Sequence, residues 1–116
     1  MVVEIFMTSI SAIYSFGELI RDRRESNGIT LKVVSEKTSI DLSLLAKIER
    51  NERRPTEKLI KQLAEFFQMD EGVLKACSIS DQIAYKIIEE NTDVEILKVA
   101  ELKVEYLKKI KNGGKN

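Results

Sequence analysis

An all-α fold is predicted for this chain, a five-helix domain followed by a C-terminal helical extension. Proline occurs once and glycine five times in 116 residues, so there is little material for hairpin turns. Apolar residues recur at three- and four-residue spacing from Phe16 to Ile110, the period of a helix with one buried face. Side chains able to accept from free first-turn N–H groups (Ser15, Thr30, Asp41, Asp70 and Thr92) stand just ahead of these periodic runs.

The elements follow in order. Residues 1–14 read as an extension outside the core fold, either disordered or adding an apolar segment to a subunit contact. A first helix is expected from Phe16 to about Asn27, capped by Ser15, with Gly28 in the left-handed position past its end. Thr30 caps a second helix carrying Val33, Val34 and Lys37, and Asp41 caps a third carrying Leu45 and Ile48. Only Ser39-Ile40-Asp41 separates these two, the short connection of a helix-turn-helix. A helix left protruding by such a turn is about 10–12 Å wide and fits the major groove of DNA.

Pro55-Thr56 opens a fourth helix whose wide apolar face (Leu59, Ile60, Leu63, Ala64, Phe66, Phe67) suits burial on more than one side. Asp70 caps a short fifth helix with Val73 and Leu74, which closes a domain over residues 15–77. Residues 78–116 form a C-terminal helical region for dimerisation. Ser80 to Asn91 is amphipathic, and Thr92 with Glu95 reads as a capping box opening a helix to about Lys111. On that helix Leu97, Ala100, Val104 and Leu107 make one seam, and Ile96, Val99, Tyr106 and Ile110 an adjacent one. A helix apolar over two seams needs two partners, its own domain for one and a second subunit for the other.

Composition bounds the chemistry. The chain has no histidine and one cysteine, Cys77, set among Val73, Leu74, Ala76 and Ile79, so a buried structural thiol is expected. Imidazole catalysis, the usual zinc sites and an internal disulfide are excluded. With no nucleophile–base constellation and no Gly-rich phosphate loop, neither an enzyme nor a cofactor is expected. The apolar N-terminal run is interrupted by Glu4 and is too short to span a bilayer, which points to a cytoplasmic protein. Formal net charge is zero, with 19 basic and 19 acidic residues, so any affinity for phosphates must come from clustering. Arg50, Arg53 and Arg54 crowd one loop; Lys108, Lys109, Lys111 and Lys115 read as a solvated helix end.

Gly28-Ile29-Thr30, Ser35-Glu36-Lys37, Ile40, Leu45 and the run Lys47-Ile48-Glu49-Arg50-Asn51 with Pro55 resemble, in order and spacing, the helix-turn-helix of Cro/C1-type (XRE) regulators. The likeness extends from about Phe16 to Leu74. It implies a five-helix, lambda-repressor-like domain that binds double-stranded DNA, as a homodimer on a palindromic operator. Base-reading positions would be Leu42, Ser43, Leu44 and Lys47. Phosphate-binding positions would be Leu31, Lys32, Arg50, Asn51, Arg53, Arg54 and Thr56. Arg24 and Glu49 would form a structural ion pair tying the third helix to the first.

The chain departs from the family at Leu42, Leu44 and Leu31, where polar residues are common. Three readings stand open: the leucines of the third helix pack on thymine methyls, one of them (Leu44 foremost) turns into the core, or the surface binds protein. The last belongs to the rival function, a protein-interaction module such as an antitoxin or adaptor.

Overall fold

The structure is a computed structural model that describes residues 14–113. Among these residues there are six helices and no strand: α1 (Phe16–Ser26), α2 (Leu31–Thr38), α3 (Leu42–Glu49), α4 (Glu57–Phe67), α5 (Glu71–Glu89) and α6 (Ile96–Gly113). The all-α expectation holds. Apart from Tyr14, the expected N-terminal extension lies outside the described residues, as does Lys115. Tyr14 is half-buried and packs against the core.

The chain divides into two units, residues 1–82 and 83–116. The first holds the core: Phe16, Leu19 and Ile20 of α1, Val34 of α2, Leu45 and Ile48 of α3, Leu59, Ile60, Leu63 and Phe67 of α4, and Leu74 and Cys77 of α5. Full burial of a Leu or Ile side chain contributes about 1.5–3 kcal/mol. The core therefore supplies the free energy that holds the short helices α2 and α3, each eight residues, which would not persist alone in water.

Local chemistry sets the helix ends. Ser15 and Glu18 form a reciprocal capping box on α1, and the Ser15 bonds hold the Glu18 carboxyl below its ordinary range. Thr30, Asp41 and Thr56 each accept from the third N–H of α2, α3 and α4, and Asp70 does the same for Val73 in α5. Gly28 takes φ +66°, closing α1 as expected.

Two expectations are corrected. The fifth helix is not short: α5 runs unbroken through Cys77 and Ser80 to Glu89. No proline or glycine follows Gly72 before Gly113, and Ser80 donates to the Cys77 carbonyl at 3.0 Å, so its hydroxyl is satisfied inside the helix. The expected capping box at Thr92 is replaced by Asp93, whose carboxylate accepts from the Glu95 N–H at 2.8 Å, while Thr92 donates to the Glu90 carbonyl.

In the second unit no residue of α6 is buried, and Leu97, Val104 and Leu107 are each at least 42% exposed. Among the described residues, both apolar seams of α6 are exposed. None of the described helices is long and apolar enough to cross a membrane.

Cys77 is fully buried, and its thiol donates weakly to the Tyr14 carbonyl at 3.4 Å. Burial first, then the carboxylates of Asp81 and Glu18, push its pKa up to about 12. Against an ordinary value near 9.0 this leaves about a thousandfold less thiolate at pH 8. A disulfide reagent is therefore expected to label the native protein only at the rate of unfolding, with full and fast labelling in denaturant. Fast labelling under native conditions would show that the site opens locally.

Candidate nucleic-acid interface

Helix α3 buries Leu45, Ile48 and Glu49 and leaves Leu42, Ser43, Lys47 and the cap residue Arg50 exposed. With the half-buried Ala46 between them, Leu42, Ser43, Ala46, Lys47 and Arg50 fall at three- and four-residue spacing, one stripe along the outer side of the helix. Leu42 is 44% exposed at its start.

Leu44 is not on this stripe. It is half-buried and packs against the core, because a step of two residues from Leu42 rotates the side chain about 200° around the helix. Among the readings left open, Leu44 turns inward and Leu42 stays out. Ala46, which carries no polar signal in the sequence, takes the outward place.

The turn before α3 is pinned by three side chains. Ser35 donates to the Ile40 carbonyl at 2.6 Å, Thr38 accepts from the Ile40 N–H at 3.3 Å, and Gln62 of α4 donates to the Thr38 carbonyl at 3.2 Å. Ser39 takes φ +62° between them, which turns the chain within three residues.

The far end of α3 is tied to α1 twice. Arg24 donates from Nε and Nη2 to the two Glu49 carboxylate oxygens at 2.7 and 2.9 Å, and from Nη1 to the Ile29 carbonyl at 3.0 Å. The two side chains are only 14% and 6% exposed. The bond to Glu49 raises the Arg24 pKa against the opposing effect of burial.

The second tie is Asn51, at φ +59° just past the helix end. Its Oδ1 accepts from the Gly17 N–H at 3.0 Å and its Nδ2 donates to Ser15 Oγ at 2.9 Å. The next N–H along α1's start, that of Phe16, donates to Asp81 of α5 at 2.8 Å, and burial raises the Asp81 pKa. Gly17 permits this approach: a Cβ there would lie 2.5 Å from the carbonyl oxygens of both Ile48 and Glu49.

The basic residues flank the stripe. Lys32 is exposed in the first turn of α2, and Arg53 and Arg54 are exposed in the loop between α3 and α4, with no ion pair among the described residues. Arg50 pairs with Glu52 at the surface, a contact that water and salt compete with. Thr56 is exposed, and its hydroxyl caps α4 at 3.1 Å from the Leu59 N–H.

Two of the expected phosphate positions are engaged with the fold itself. Leu31 leans on the core and has no side-chain donor, which leaves only its backbone N–H in the opening turn of α2. Both polar atoms of the Asn51 carboxamide are engaged with α1, so Asn51 positions the loop. Among the described residues no group of His, Cys, Asp and Glu is arranged to hold a metal.

The comparisons agree with this geometry. A helix-turn-helix family model matches residues 20–74, which span α2, the turn, α3 and α4 together with most of α1 and the start of α5. No curated protein and no solved structure matches the chain. The matched family is one of DNA-binding regulators, and the exposed stripe on α3 lies inside the matched residues. Residues 20–74 of this chain thus match a helix-turn-helix family of the Cro/C1 type.

Proposed function

We propose that this protein is a sequence-specific transcriptional regulator, a repressor that binds a palindromic operator as a dimer and occludes polymerase. The observation that carries the reading is the exposed stripe on α3, held rigidly by the Arg24–Glu49 pair and flanked by Lys32, Arg53 and Arg54. Ser43 and Lys47 hydrogen-bond base edges, and Leu42 and Ala46 pack on thymine methyls, a contact that needs no polar group. Lys32, Arg50, Arg53 and Arg54 hold phosphates, joined by free N–H groups at the start of α2 and α4. The apolar seam Leu97, Ala100, Val104 and Leu107, exposed along α6, supports the dimer. A two-fold protein matches a two-fold operator.

Base reading and phosphate holding separate experimentally. Lys47→Ala is expected to lower the ratio of specific to non-specific binding, with a loss of about 1–3 kcal/mol at the cognate site. Arg53→Ala is expected to weaken all sequences alike and to reduce the slope of log K against log salt by about one unit. Changing a thymine under Leu42 should cost the wild-type chain affinity but cost Leu42→Ala little. Electrophoretic shifts across a salt series read all three. A chain that prefers no sequence over random duplex at low salt would sink the repressor reading and favour a protein-binding module.

A further inference from the structure

Opposite charges stand at the two ends of α6: Asp93 just ahead of its first turn, where its carboxylate also accepts from the Glu95 N–H, and Lys111 in its last. Asp93 lies four residues before Leu97 and Lys111 four residues after Leu107; both are exposed and neither has an ion pair among the described residues. The approach to the helix is acidic (Glu89, Glu90, Asp93, Glu95) and its last turns are basic (Lys108, Lys109, Lys111). Glu90 and Glu95 are only loosely matched, to Lys86 and Lys98 of their own chain.

We infer that a second copy of this chain docks antiparallel along this seam, Leu97 on Leu107 and Ala100 on Val104, with Asp93 of each copy against Lys111 of the other. The inference rests on the dimer reading above and adds its orientation. In a parallel pair Asp93 would face Asp93 and Lys111 would face Lys111, with the acidic and basic runs each doubled. In the antiparallel pair Leu97 meets Leu107 and Ala100 meets Val104, both ends carry unlike charges, and Ile96 and Ile110 flank the seam together. Exposed ion pairs contribute little affinity, so the apolar seam drives association. Like charges placed opposite one another cost energy in the parallel alternative, so the charges select the orientation.

Disulfide trapping tests it in the full chain, where buried Cys77 does not interfere. Asp93→Cys and Lys111→Cys chains are expected to cross-link when mixed and not when each is oxidised alone, while sedimentation shows a wild-type dimer. Cross-linking of each variant with itself would overturn the antiparallel orientation and leave the dimer standing. A wild-type dimer whose mixed variants form no cross-link would overturn it too, by moving the contact elsewhere. A wild-type monomer would overturn the inference and the dimer together.

Discussion

Replacing Arg24 with alanine will destabilise the helix-turn-helix unit by about 3–5 kcal/mol, because it strands the Glu49 carboxylate without its partner. That carboxylate is almost fully buried and takes both of its short bonds from the Arg24 guanidinium. The same change frees the Ile29 carbonyl, which accepts from Nη1. Urea denaturation should show a lower midpoint with an unchanged slope. Arg53→Ala, at an exposed loop position with no partner among the described residues, should shift stability by less than about 0.5 kcal/mol. Removing both charges together, Arg24→Leu with Glu49→Leu, should recover much of the loss, since no buried charge is then left unpaired. Melts in which Arg24→Ala and Arg53→Ala are equally silent would show that solvent reaches the pair. DNA binding should fall with Arg24→Ala beyond what unfolding explains, because the pair also fixes where α3 points.

Gly17→Ala should destabilise the same junction by about 1–3 kcal/mol, the usual cost of forcing extra volume into a packed contact. Helix propensity argues the other way, since alanine in a helix interior is favoured over glycine by about 1 kcal/mol. The geometry decides the sign. Two of the three atoms that the new methyl would meet are backbone carbonyl oxygens at 2.5 Å, which cannot swing aside as a side-chain end can. Helices α1 and α3 must then part, and the Gly17 N–H to Asn51 bond is stretched as they do. Thermal melts read the effect; an unchanged or raised midpoint would mean that the junction yields without strain.

Much of this architecture is legible in the chain because it depends on near neighbours. Ser15, Thr30, Asp41 and Asp70 cap helices through bonds three residues long, and Gly28 ends α1 by its own backbone freedom. The Arg24–Glu49 pair spans 25 residues, and only likeness to a known family pointed to it. What sequence reasoning missed lies mostly across long separations. Asn51 and Gly17 are 34 residues apart, and Phe16 and Asp81 are 65 apart, and nothing local marks either pair.

The sequence by itself determined that this chain is helical, where most of its helices begin, and that a short turn joins α2 to α3. Those outcomes follow from period, caps and breakers, which act within a turn or two. Only the tertiary structure decided that Leu44 and Leu31 lean on the core while Leu42 and Ala46 face outward, and that Asn51 braces α1. Each of these depends on which side of a helix meets the core, and that is settled by packing among segments distant in the chain, where burial of apolar surface outweighs the small differences that local preference can express.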